Sequence, residues 1–268
     1  DGPPLCGAPV IARAEDIDHL HAPRILSAPS LLRVLDTIRG LKERVGDSVP
    51  VIGVAISPFS LPIMLMGYDH YIELLHEQPL RFDRLMQATS AFCVEWANAQ
   101  LAAGATAICY FDPMSSTTNI TREQYLRTGQ RVAKHTLAQI KGATATHMAS
   151  GCCLSILSDI ADTGTAAVGV STLEDMGELK AAADRRVCLL GNLNGIEMRR
   201  WTAQQAETAV QRIIAKAGVG GGLILSDNHG EIPWQVPDEV LLAISASVRR
   251  WGNYPLDWLA DWADNGHA

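Results

Sequence analysis

The chain lacks any apolar run near the ~18 residues that a membrane-crossing helix needs, and it has no stretch with the make-up of a secretory leader. The sequence therefore predicts a cytoplasmic protein without membrane association. It also lacks a cluster of lysine and arginine. With a formal net charge of −7, no surface favours nucleic acid or an anionic membrane. Among six cysteines (Cys6, Cys93, Cys109, Cys152, Cys153 and Cys188) there is no CxxC pair, and most sit in apolar segments. That pattern fits reduced core thiols in a reducing compartment. Low-complexity segments, short repeats and internal linkers are missing too, so residues 1–268 read as one domain. Residues 1–28, rich in proline and alanine, form an irregular lead-in.

What is present is a large apolar fraction. Hydrophobic residues make up 47% of 268 and charged residues 19%, which suits a soluble domain with a well-buried interior, of the size of one α/β barrel. The stretch that organises the rest is 221–233. It begins Gly221-Gly222-Leu223-Ile224-Leu225, a short buried strand, and turns abruptly into Ser226-Asp227-Asn228-His229-Gly230-Glu231. Polar side chains gathered at the C-terminal end of a buried strand are how an α/β barrel presents an active site. Pro233 and Pro237 stop the strand, and Asp238-Glu239 opens an amphipathic helix over 240–250.

Upstream, the periodicities predict strands over 49–56, 105–111, 143–147, 166–170 and 187–191. They predict helices over 30–45, 61–76, 80–103, 121–141, 154–162, 173–183 and 202–217. Strand and helix alternate, which means a parallel sheet with helices outside. Six strands are evident, where a closed (β/α)8 TIM-type barrel needs eight. The two missing ones belong at the N-terminus.

Several strand ends resemble those of the uroporphyrinogen decarboxylase superfamily, whose other large branch is the methylcobamide:thiol methyltransferases. The resembling pieces run from Val51-Ile52-Gly53 to Ser57-Pro58-Phe59-Ser60-Leu61, and from Ala103-Gly104-Ala105 to Phe111-Asp112-Pro113. They continue with Leu190-Gly191-Asn192-Leu193, and with Ile224-Leu225 followed by His229-Gly230-Glu231-Ile232-Pro233. The resemblance implies a (β/α)8 barrel of which the third to eighth strands are present. The family's N-terminal part, which supplies substrate-binding arginines and an aspartate, has no counterpart.

Between the branches, the decarboxylases' tyrosine past the Ser-Pro-Phe-like segment is replaced here near Met64. Asp112-Pro113, Ala161-Asp162-Thr163-Gly164 and Glu231-Ile232-Pro233 resemble the methyltransferases. The expected function is therefore transfer of a methyl group from a methylcobamide, carried on a corrinoid protein, to a small-molecule thiol or similar acceptor. In that branch zinc makes the acceptor thiolate available at neutral pH. The alternatives are decarboxylation of uroporphyrinogen, and a catalytically degenerate member that binds a tetrapyrrole or corrinoid partner.

The resemblance places His147 at the branch's metal histidine, but Ala149 stands where its first ligand cysteine belongs. The expected zinc set is then His147, Cys152 (or Cys153) and His229, with the fourth position open. His229, Glu231 and Asp112 are the candidate catalytic residues. Ser57, Phe59, Ser115, Ser116, Asn192 and Asp227 are the candidate substrate contacts. Competing readings are bland: His147 as a hydrogen-bonded structural ring, the two cysteines as buried apolar residues rather than a helix-opening thiolate, Asp112 as a cap, and the Ser115–Thr118 hydroxyls as a solvated loop. The tryptophans Trp251, Trp258 and Trp262 are expected to cover the barrel or a partner subunit in a homodimer.

Overall fold

The structure is a computed structural model that describes residues 7–229 and 232–264. Its contacts fall into two compact units that interleave along the chain: unit 1 comprises 1–115, 119–146 and 162–165, and unit 2 comprises 116–118, 147–161 and 166–268. Among the described residues no helix is long and apolar enough to cross a membrane.

Unit 1 contains α1 (Pro29–Val45), β1 (Ile52–Ile56), α2 (Leu61–Met66), α3 (Tyr68–Glu77), α4 (Pro79–Ala102), β2 (Ala107–Phe111), α5 (Arg122–Arg127), α6 (Gly129–Leu137) and most of β3 (Ala143–His147). β1 and β2 are parallel, with Ile52 opposite Ala107 and Ile56 opposite Phe111. Proline opens α1 and α4 in the first turn, where its missing N–H costs nothing.

The helix expected over 61–76 is broken at Gly67, whose φ of 83° ends α2 and starts α3; such a backbone favours glycine. The helix expected over 121–141 is likewise two helices, interrupted at Thr128. The core joins α1, α4, α6 and the strands through Leu35, Ile38, Ala97, Ile108, Tyr110 and Leu137. Gln100, buried on α4, accepts from Val54 N–H at 3.0 Å and donates to Val54 C=O at 2.9 Å. Its amide satisfies β1 as a neighbouring strand would. Gly53 makes the approach possible, since a Cβ there would lie 2.9 Å from Gln100 Oε1.

Unit 2 contains the last residue of β3, then α7 (Leu157–Ala161), β4 (Ala167–Gly169), α8 (Met176–Ala183), β5 (Cys188–Leu190), α9 (Ala203–Ala217), β6 (Leu223–Ile224), α10 (Asp238–Trp251) and α11 (Leu259–Asp264). β4, β5 and β6 are parallel and lie in chain order. β6 is only two residues of regular strand, but its pairing with the β5 side continues irregularly. Leu193 N–H donates to Ser226 C=O at 2.9 Å, and Asn228 N–H to Leu193 C=O at 3.0 Å. That extension carries Asp227, Asn228 and His229 alongside 191–193.

α9 is opened by a reciprocal cap between Thr202 and Gln205 and packs against α8 and α10, burying Val210 and Ile214. Trp251, Trp258 and Trp262 pack ring on ring at 5.2 and 5.6 Å. The α/β class with six parallel strands is as the sequence predicts.

Candidate functional site

In unit 1, β1 and β2 both end in polar residues that turn inward to one carboxylate. Ser57 and Ser60 donate to Asp112 Oδ1 at 2.5 and 2.7 Å. Ser60 in turn accepts from Met114 N–H at 3.1 Å, and Ser57 Oγ from Ser60 N–H at 2.9 Å. Asp112 is 1% exposed. Burial pushes its carboxyl up from 3.8, and the nearby hydroxyls of Ser115, Ser57 and Ser60 oppose the rise.

Asp112, expected to be catalytic, and Ser57 and Ser115, expected to touch substrate, are all buried at these strand ends. A sealed carboxylate ties two strand ends together and presents no surface. Phe59, also expected to touch substrate, is placed in the same way. It is fully buried and meets Tyr71 and Phe82 edge-on at 5.9 and 6.2 Å. Gly129 permits the closure, because a Cβ there would lie 2.5 Å from Ser115 Oγ and 3.3 Å from Phe59 Cδ1.

In unit 2, the hydroxyl-rich loop is committed to backbone. Thr117 donates from N–H and Oγ1 to Cys152 C=O at 2.9 and 3.0 Å, while Cys152 N–H donates to Thr118 Oγ1 at 3.1 Å. Ser116, expected to touch substrate, is fully buried beneath Gly151, where a Cβ would fall 2.4 Å from it. Glu174, which the sequence reading missed, accepts from Cys153 N–H at 2.9 Å and Leu154 N–H at 2.6 Å. These are the donors a thiolate would have needed. Burial, with Glu174 next, holds the Cys153 thiol well above its usual range. An acidic residue four positions beyond a strand end was the available signal.

Asn192 also turns inward. Its amide donates to Ser171 C=O at 2.9 Å and Glu174 C=O at 3.1 Å, and the side chain is 8% exposed. It holds the β4 and β5 ends together and also lines a cleft of about 280 Å³ with Thr172, Glu174, Asn194 and Trp201.

The two histidines share one feature. His147 ends β3, is 6% exposed, and its Nδ1 accepts from Ala149 N–H at 3.0 Å. Burial lowers its pKa from 6.5, opposed by the negative charge of Asp227, so the ring is neutral with its proton on Nε2. Asn228 is fully buried; its amide nitrogen donates to Leu193 C=O at 3.1 Å and to His229 Nδ1 at 2.8 Å, while its oxygen accepts from Thr172 N–H at 3.3 Å. The neighbouring carbonyl fixes which end of the amide is nitrogen. His229 is therefore also an acceptor at Nδ1, with its hydrogen on Nε2. Asp227 Oδ2 accepts from His229 N–H at 2.9 Å.

This polarity is opposite to that of a zinc ligand. A metal-bound histidine donates from its outer nitrogen and offers the other nitrogen's lone pair. Here both δ nitrogens accept, and a proton occupies Nε2. Among the described residues no group of three or more His, Cys, Asp or Glu side chains is placed to hold a metal. The His147, Cys152 and His229 set expected for zinc does not form. Glu231 lies outside the described residues.

A family model described as Uroporphyrinogen decarboxylase (URO-D) matches residues 1–251. The chain is 27% identical over 246 residues to "Uroporphyrinogen decarboxylase" of Methylococcus capsulatus, covering 88% of this chain and 69% of that protein. It is 29% identical over 248 residues to the protein of the same name from Pelodictyon phaeoclathratiforme, with coverage of 88% and 69%. Among solved structures, a methyltransferase from Methanosarcina mazei superposes with a TM-score of 0.76 at 19% identity, over 87% of this chain and 71% of that chain. A likeness of that kind shows the shared fold.

Proposed function

The chain belongs to the uroporphyrinogen decarboxylase family, and from that premise we propose that it handles a polycarboxylate tetrapyrrole by metal-free decarboxylation. The observation that carries this reading is the pair of imidazoles in unit 2, each fixed as an Nε2–H donor by a hydrogen bond to Nδ1. Neutral N–H donors do not activate a thiol; they bind and orient acid groups. In this reading His229 holds a substrate carboxylate, the buried His147 fixes the end of β3 near the charge of Asp227, and Asp227 polarises the reacting ring. A protonated pyrrole accepts the electron pair of the breaking bond to the carboxylate, carbon dioxide leaves, and a proton replaces it on the exocyclic carbon. No oxidant or metal is required. The test is formation of coproporphyrinogen from uroporphyrinogen by the purified chain, with loss in His229→Ala. No product under reducing, anaerobic conditions would overturn the reading.

A second reading is methyl transfer from a methylcobamide on a corrinoid protein to a thiol or similar acceptor. It is favoured by Met64, half-exposed near the place of the decarboxylases' tyrosine. Spectral loss of the methyl–cobalt form of methylcobalamin on addition of protein and a thiol would establish it over the first.

A further inference from the structure

At the opposite, N-terminal ends of β4, β5 and β6, unit 2 has a cleft of about 460 Å³ lined by Lys180, Arg185 and Arg186, with no carboxylate among its described lining residues. In a chain of net charge −7, three cations around one hollow is a departure from the rest of the surface. The rim is a turn of three glycines, Gly220, Gly221 and Gly222, with φ of 77°, 76° and 73°. A run of such angles is open to glycine alone without strain, and it brings bare backbone to the cleft edge. Lys180 is anchored by donating Nζ to Gly221 C=O, while Arg186 rests on Ser158 Oγ at 3.1 Å. Arg185 is exposed and stands on a left-handed backbone, φ 59°. Cys188 lines the same cleft; burial raises its thiol pKa, and the charge of Lys180 opposes the rise.

We propose that this cleft binds a phosphorylated small molecule, its phosphate groups held by Lys180, Arg185 and Arg186 above the glycine turn. The volume falls in the range of small-molecule pockets. Clustered lysine and arginine supply the charge-assisted hydrogen bonds that phosphate oxygens take best. The cleft is remote, along the same strands, from the histidine-bearing ends, so the proposal stands independently of the reaction performed there.

The test uses the full chain and inorganic pyrophosphate as probe. Calorimetric titration is expected to show saturable binding that weakens with added salt. Arg185→Gly removes one cation at a position whose backbone glycine adopts freely, so the fold is retained, and the expected loss is about tenfold in affinity, equivalent to ~1.4 kcal/mol. Lys180→Gln is a second variant with the same expected direction. Independently, pyrophosphate is expected to slow alkylation of Cys188, followed peptide by peptide, and to leave Cys109 unchanged. Absence of saturable binding would overturn the proposal. So would binding that both variants leave intact, or binding that gives Cys188 no protection.

Discussion

The ring of His147 lies directly on Gly169: a Cβ at that glycine would sit 2.6 Å from Cδ2 and 3.0 Å from Cγ. Both residues are buried, and the ring's place on β4 depends on a side chain that is not there. Gly169→Ala is expected to cost about 1–3 kcal/mol, the usual range for overpacking a core, and to displace the imidazole. Chemical denaturation would check the first part. A variant as stable as the parent would mean that the ring moves aside freely.

His147 also makes stability depend on pH in a definite direction. Its folded pKa lies below the unfolded value of 6.5, so the unfolded chain binds the extra proton. Its contribution is present in full above pH 6.5 and is lost as pH falls from there toward the folded value. His147→Gln keeps an acceptor for Ala149 N–H and does not titrate. Its unfolding free energy should fall less steeply below pH 6.5 than that of the wild type.

Asp112 has the opposite sign. Its folded pKa is raised above 3.8, so its contribution is fully present below 3.8 and lost as pH rises through the folded value. Asp112→Asn retains the oxygen that Ser57 and Ser60 donate to, without the buried charge, and is expected to equal or exceed the parent in stability at neutral pH. Asp112→Ala strands two buried hydroxyls and is expected to lose about 2–4 kcal/mol. Equal melting of the alanine and asparagine variants would show that the serine bonds do not hold the strand ends.

Glu174 caps the short helical turn at 154–156 by accepting from Cys153 and Leu154. Glu174→Ala should destabilise by about 1–2 kcal/mol, and Glu174→Gln by less. Because Glu174 holds the Cys153 thiol up, the alanine variant should also alkylate faster at Cys153. Unchanged alkylation would show that burial alone controls the thiol.

Asn228→Ala removes the donor to His229 Nδ1 and frees that ring to change tautomer. Under the decarboxylase reading, kcat should drop by about tenfold, the effect of one lost hydrogen bond worth ~1.4 kcal/mol, with a shifted pH–rate profile. A variant that is merely less stable would melt earlier without that shift.

The fold was readable because alternation is a long-range property: apolar runs of strand length separated by helical periods leave few other architectures. Helix breaks were less visible. Gly67 interrupts what reads as one helix, since a single glycine in such a pattern is often tolerated. β6 was overestimated for a related reason, as its pairing continues past Ile224 through irregular geometry that no periodicity marks. The position of His147 at a strand end was legible; what it does there was not. The family resemblance suggests a metal, whereas the hydrogen-bonding polarity of the rings depends on which ring nitrogen meets an N–H, and that is set by the turn at Ala149 (φ 52°) and by a buried amide at Asn228. Asp112 shows the same limit. A carboxylate after a strand reads as active until the serines that enclose it, 52 and 55 residues earlier, are seen to converge.

Trp234, 95% exposed, differs from the indoles of Trp251, Trp258 and Trp262, which pack tilted and edge-on against one another. The difference gives the molecule a built-in optical gauge. Iodide in solution reaches the first fully and the half-buried others only in part, so a change in the quenchable share of emission reports when something comes to rest over Trp234, without any label being added.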